Sequence, residues 1–212
     1  QTHNRHKLST LCACRRPTRA DAPPQLNLQP PLDAVLGAPS DAPCSACGLA
    51  PLRHLVTSHA EMPELMRGAT EQSEALRSSD LLPGVYEGGF VLWECTRDLL
   101  EVLHSLLERS ELELATAAVL EAGCGAGLPG VLALQRGCHS LSLHDFNEEV
   151  LLWNTLPNVW LNGQWERVER GAVSLFSGDW ATVSELLSSE RAALSLAAEG
   201  YDEILTAHRV HS

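Results

Sequence analysis

The spacing of apolar residues changes character near residue 78. Before it, "RRPTRADAPPQLNLQPPLDAVLGAPSDAP" typifies residues 1–77, which are rich in Pro, Ala, Ser and Gln and show no period. Such a stretch buries too little apolar surface to offset the entropy of ordering it. Residues 1–77 are therefore expected to be mostly disordered, with room for a short helix in 61–77. Beyond it, "GGFVLWECTRDLLEVLHSLLE" sets Leu92, Leu99, Val102, Leu103, Leu106 and Leu107 at helical spacing, predicting an amphipathic helix over roughly 91–108. "AAVLEAG" and "SLSLHD" are apolar runs of strand length, and "GAVSLFSGDW" and "YDEILT" supply a third and a fourth strand. Between them, "NEEVLLWNTLPNVWLN" predicts a helix interrupted near Pro157, and "TVSELLSSERAALSL" predicts another. Pro129 suits the first turn of the helix after the first strand, where a missing N–H costs nothing. Strands alternating with helices at this spacing make βαβ units and a parallel sheet. The fold class is α/β, with 1–77 an N-terminal region and 78–212 the folded part.

Composition narrows the function classes. A formal charge of -12 argues against a general binder of nucleic acid or membrane surfaces. Residues 1–20 depart from that balance, carrying Arg5, Lys7, Arg15, Arg16 and Arg19 and no acid. That is the composition of a mitochondrial transit peptide, although Cys12, Cys14 and Pro17 suit a targeting helix poorly. The chain begins with Gln1, so the first residues of the encoded protein are expected to be missing. No apolar run approaches the ~18–20 residues that cross a bilayer, so no membrane partner is expected. Seven cysteines, an odd number, fit a reducing compartment better than a disulfide scaffold. Cys44-x2-Cys47 followed by His54-x4-His59 has the donor set of a tetrahedral zinc site, but the six-residue spacer is too short for a hairpin and helix. It is read as a loop, and no metal is expected.

The densest chemistry lies in "VLEAGCGAGLPG", residues 119–130, where glycine recurs at alternate positions after a strand. In open α/β sheets ligands bind beyond the carboxyl ends of the strands, which is where Gly123, Gly125 and Gly127 fall. The second strand ends in Asp145, placed to accept hydrogen bonds from ribose hydroxyls. The third ends in Gly178, Asp179 and Trp180, an acid and a flat ring suited to an adenine. Gly125, Gly127 and Gly130 match G-x-G-x-x-G, the dinucleotide fingerprint, and from Glu121 the same residues match E-x-G-x-G-x-G. The glycines alone leave NAD and S-adenosyl-L-methionine both open. The helix at 84–100, ahead of the glycine strand, has no obvious place in a dehydrogenase.

Taken together, "DLLPGVYEGGFVLWECTRDLL", "VLEAGCGAGLPG", "HDFNEEVLLWNTLPNVWLNG", "FSGDW" and "YDEILT" resemble the protein-histidine methyltransferases, relatives of the seven-strand protein-lysine methyltransferases. The likeness spans 79–206, and "GVYEGG..LWECT" is its most specific part. It implies a Rossmann-like class I methyltransferase fold with helices on both faces of the sheet. It also implies methyl transfer from S-adenosyl-L-methionine to a histidine ring nitrogen of a large-subunit ribosomal protein, in cytoplasm and nucleus. By position, Trp93, Glu94, Cys95 and Thr96 would close over the cofactor, with Glu121, Gly123 and Gly125 at its amino-acid part. Asp145, Phe146 and Asn147 would hold the ribose, Gly178, Asp179 and Trp180 the adenine, and Thr206 would lie on the methyl side. No general base stands out; His104, His139 and His144 are read as surface or packing residues. After "YDEILT" the family continues with Ser-Glu-Thr and further strands, where this chain reads Ala207-His208-Arg209-Val210-His211-Ser212. The resemblance thus implies an incomplete sheet of about four of seven strands, an open edge, and weak or absent activity. The alternatives are a lysine methyltransferase, whose rate would climb well above neutral pH where a histidine enzyme levels off, an NAD-dependent oxidoreductase, and a non-catalytic fragment that binds cofactor or partner.

Overall fold

The computed structural model describes residues 13–15, 52–55, 81–82, 84–179 and 201–207. The expected helices in 61–77 and 182–196 lie outside these residues, as do Trp180, Cys44, Cys47 and His59. Within 1–77, which sequence reads as disordered, the described residues are a short strand and the segment 52–55, in which Leu52 and His54 are buried.

In chain order the elements are β1 (Ala13–Arg15), α1 (Glu94–Glu108), β2 (Ala118–Ala122), α2 (Leu128–Gln135) and β3 (Ser140–Asp145). A long helix α3 follows in three consecutive pieces, Glu148–Val150, Leu151–Thr155 and Leu156–Leu161, and then α4 (Trp165–Glu169), β4 (Val173–Ser177) and β5 (Glu203–Thr206). The strand order is β1-β4-β3-β2-β5. β2, β3, β4 and β5 run parallel, with Val119 facing Leu141 on one side and Glu203 on the other. The chain steps outward from β2 through β3 to β4 and then returns to the far side of β2 for β5. That reversal opens a crevice at the carboxyl end of β2, the place where open α/β sheets bind ligands. β1 pairs antiparallel along the outer edge of β4; no hydrophobic pattern in 1–77 announced it.

Burial explains the strand composition. Val119, Leu141, Leu143, Val173 and Leu175 are buried, as expected for a parallel sheet flanked by helices. α2 is apolar all round, Leu128 to Leu134 being buried, because it packs on β2 and β3 and is covered by α1 and α3. α1 starts at Glu94 and turns Leu100 and Leu103 inward, leaving Val102 54% exposed. The spacing had placed Val102 on the apolar face. With Leu92 ahead of the first helical turn, the buried stripe is set by Leu99, Leu100, Leu103 and Leu107 instead. The interruption expected near Pro157 is a π-helical widening over Leu151–Thr155, just where the proline removes a backbone donor.

Candidate functional site

The glycine turn grows out of a sharp exit from β2. Gly123, Gly125 and Gly127 take φ of 64°, 48° and 68°, a left-handed region that L side chains rarely adopt. Three of the motif's glycines are required by the protein's own packing. A Cβ on Gly125 would lie 3.2 Å from the Gly89 carbonyl oxygen, one on Gly127 would lie 2.7 Å from Thr155 Cγ2, and one on Gly130 would lie 2.7 Å from Glu121 Oε2. Close approach was the expected reason for these glycines, but what approaches is the segment before α1, helix α3 and a buried acid. Gly123 and Gly125 are half-exposed, so the turn's outer backbone still faces the crevice. Gly127→Ala should cost about 3 kcal/mol, combining left-handed strain with overpacking against Thr155. Gly163→Ala, at φ 71° with nothing within 4 Å, should lose only about 1 kcal/mol from strain. Equal losses in denaturant unfolding would remove packing from the explanation.

Glu121 sits inside β2. It is 3% exposed, and its Oε2 accepts the Gly130 backbone N–H at 2.7 Å, anchoring the start of α2. Burial pushes its pKa up to about 8; the Gly130 bond opposes the rise and nearby Asp145 adds to it. Asp145, at the end of β3, is also buried. Its Oδ2 accepts Gly125 N–H at 2.9 Å and its Oδ1 accepts Asn147 N–H at 3.2 Å. Burial raises its pKa to about 6 against these donors. The backbone of Phe146 adds a third bond to the carboxylate, and of its roughly four acceptor positions one remains for a ribose hydroxyl.

Asn147 was expected beside the ribose, yet its carboxamide grips the segment before α1. Its Nδ2 donates to Val85 O at 2.7 Å and its Oδ1 accepts Glu87 N–H at 3.1 Å. That segment lies across the strand ends: Tyr86 and Phe90 are buried against Val150, and Trp93 Nε1 donates to Gly88 O at 3.0 Å. Trp93 and Thr96 are half-buried at the start of α1, Glu94 is exposed, and Cys95 Sγ lies 3.5 Å from Ala207 O, just past β5. Thr206 is exposed at the end of β5, level with Ala122. Phe146 is half-buried, Gly178 buried and Asp179 exposed. Gly123, Asp145 and Gly178 thus lie at or just past the ends of β2, β3 and β4, with Thr206 at the end of β5 and the start of α1 against Ala207. Glu121 and Asn147 use their side chains on Gly130, Val85 and Glu87.

Sequence reasoning missed two sets of residues. His144, read as a surface or packing residue, is 1% exposed and ties three strand ends together. Its Nε2 lies 3.0 Å from Gly178 O, which requires a proton on that nitrogen, and Nδ1 then accepts Gly123 N–H at 3.4 Å. Burial lowers its pKa, and the Gly178 carbonyl partly offsets that. The second set lines α3: Asn154 Nδ2 donates to Gly89 O at 2.8 Å, Thr155 Oγ1 to Gly125 O at 2.6 Å, and Asn158 Nδ2 to Ala126 O at 3.0 Å. Polar residues at 154, 155 and 158 inside an apolar helix were the available signal. Among the described residues no cluster of His, Cys, Asp or Glu could hold a metal, and no helix is long and apolar enough to cross a membrane.

No family model matches the chain. It is 39% identical over 142 residues to the histidine protein methyltransferase 1 homolog of Dictyostelium discoideum, covering 67% of this chain and 40% of that protein. The Bos taurus homolog is 37% identical over 154 residues, covering 63% and 39%. Histidine protein methyltransferase 1 of Saccharomyces cerevisiae is 38% identical over 90 residues, covering 39% and 23%. A crystal structure of a candidate RNA methyltransferase from Pyrococcus horikoshii aligns over 39% of this chain and 35% of that one, at 22% identity and a TM-score of 0.29. That likeness is too slight to carry the fold assignment, which rests on the strand order. The chain spans 40% of the length of the first of these curated relatives. Over the matched segment it is a homologue of the histidine protein methyltransferases.

Proposed function

We propose that residues 78–212 form the S-adenosyl-L-methionine-binding part of a protein-histidine methyltransferase whose substrate is a large-subunit ribosomal protein, acting in cytoplasm and nucleus. The observation that carries this reading is the convergence of three parallel strand ends and the start of α1 on one crevice, in a chain homologous to that family. The residues present fit the cofactor. The turn exposes backbone at Gly123 and Gly125, Asp145 keeps an acceptor position for a ribose hydroxyl, and Asp179 is exposed at the end of β4. Trp93, Glu94, Cys95 and Thr96 close the near side, Phe146 and Gly178 flank the base, and Thr206 borders the methyl side; Trp180 lies outside the described residues. Glu121 and Asn147 act one step back, holding α2 and the segment before α1.

The bound cofactor would supply a sulfonium methyl, already a good electrophile. What the chain must add is alignment, together with conditions that keep the attacking imidazole nitrogen unprotonated. β5 is the outermost described strand on that side and Ile204 on it is 63% exposed, so the described residues provide more of the cofactor's wall than of a peptide's.

The test is thermal unfolding with S-adenosylhomocysteine and, separately, with NAD. S-adenosylhomocysteine at a hundred times its dissociation constant should add ~2.7 kcal/mol to the folded state. Asp145→Ala should weaken binding by roughly 10- to 100-fold, the worth of hydrogen bonds to a charged group. Stabilisation by NAD with none by S-adenosylhomocysteine would overturn the reading in favour of an oxidoreductase.

A further inference from the structure

Residues 52–55 stand far from the crevice in sequence and do not line it, yet they are locked onto the helix that holds it. Arg53 N–H donates to Asn162 Oδ1 at 2.9 Å and Arg53 O accepts Asn162 Nδ2 at 2.8 Å, a two-point grip on backbone alone. Leu55 N–H donates to Asn158 Oδ1 at 2.7 Å. Leu52 and His54 are buried while Arg53 is exposed, the alternation of a segment lying along a surface, and Leu52 joins the main core.

The hydrogen bonds run onward in one direction. Asn158, fully buried, passes from Leu55 to two acceptors: its Nδ2 donates to Asn154 Oδ1 at 3.2 Å and to Ala126 O at 3.0 Å. Asn154 Nδ2 in turn donates to Gly89 O at 2.8 Å. Both amide hydrogens of Asn158 are used, and Leu55 provides a donor for its oxygen. A carboxamide satisfied at both ends is fixed in orientation, and donors in series polarise one another in a buried setting.

We propose that residues 52–55 are a positioning strap. Through Asn158 and Asn154 their backbone holds the carbonyls of Ala126 and Gly89, and so sets the glycine turn and the segment before α1 at the distance a cofactor requires. The strap acts by main-chain bonds, so its side chain at Arg53 is dispensable while the N–H at Leu55 is not. Asn158, Asn162 and the strap are positioning residues, acting through the bonds they make to one another and to Ala126 and Asn154. The consequence for ligand affinity rests on the cofactor reading above; the consequence for the loops does not.

The experiment is amide hydrogen exchange on the full chain without ligand, comparing Leu55→Pro, Asn162→Ala and Arg53→Ala with the parent, followed by S-adenosylhomocysteine titration. Leu55→Pro deletes one donor, and Asn162→Ala releases the strap together with the bond from Asn162 Nδ2 to Asn158 O at 2.7 Å, at the far end of α3 from the turn. Both should raise exchange in 86–91 and 124–128 about fivefold, the weight of one lost hydrogen bond, with β3 and β4 unchanged. Arg53→Ala should leave exchange at the parent's rate. The same two variants should weaken S-adenosylhomocysteine binding by a similar factor. Unchanged exchange at both loops while 52–55 itself becomes unprotected would overturn the strap. A uniform rise across the sheet would also overturn it, since that is ordinary loss of stability. Loosened loops in a chain whose parent does not bind S-adenosylhomocysteine would leave the strap standing and sink the cofactor reading.

Discussion

Stability should fall as pH rises from about 5 to 9, and Glu121→Gln should remove most of that fall. Glu121 is buried beside Asp145, and its pKa stands at about 8 in the folded chain against an ordinary 4.5. Below pH 4.5 the acid is protonated whether the chain is folded or not, and its contribution is complete. Between 4.5 and 8 the unfolded chain releases the proton and the folded chain keeps it, so each step upward favours unfolding. The difference amounts to on the order of 4–5 kcal/mol, a large part of the margin of an ordinary domain. Asp145, raised to about 6 from 3.8, tilts the lower part of the same window in the same direction. A glutamine keeps the acceptor for Gly130 N–H and has no proton to lose. The variant should match or fall slightly below the parent at pH 5 and exceed it at pH 9. Parallel pH profiles in urea unfolding would show that Glu121 is ionised in the folded chain at neutral pH.

Asn158→Leu is expected to be the most damaging single change in α3, costing about 3–5 kcal/mol. The side chain is fully buried, and leucine fills similar space without a polar atom. Three partners are left stranded: Leu55 N–H, Ala126 O and Asn154 Oδ1. An unsatisfied buried polar group costs about 1–3 kcal/mol, and here the apolar replacement offers nothing back except its own burial. Val159 lies next to it and is equally buried, but touches none of this network; Val159→Ala should cost about 2 kcal/mol through an ordinary cavity. If Asn158→Leu costs no more than that, the buried carboxamides are not what holds the turn. Ligand binding separates the two further. Asn158→Leu should lose affinity for S-adenosylhomocysteine beyond what its stability explains, and Val159→Ala should not.

The sequence by itself determined the architecture and where to look. Apolar runs of strand length alternating with helical spacing can bury their faces in few ways, and β2 to β5 appear where "AAVLEAG", "SLSLHD", "GAVSLFSGDW" and "YDEILT" placed them, in parallel order. Positions at strand ends follow from that register, so Gly123, Asp145 and Gly178 are legible as neighbours from the sequence. The tertiary structure decided what each polar side chain does with its hydrogen bonds. Glu121 and Asn147 stand in the motif but spend their polar atoms on Gly130, Val85 and Glu87. His144 reads as one more histidine until the exits of β2 and β4 are seen to meet it. The grip of Asn158 and Asn162 on residues 53–55 joins parts of the chain more than a hundred positions apart. Hydrophobic periodicity is a local property and survives in the sequence. A buried donor finds its acceptor only after the core has closed around both, and that pairing leaves no period to read.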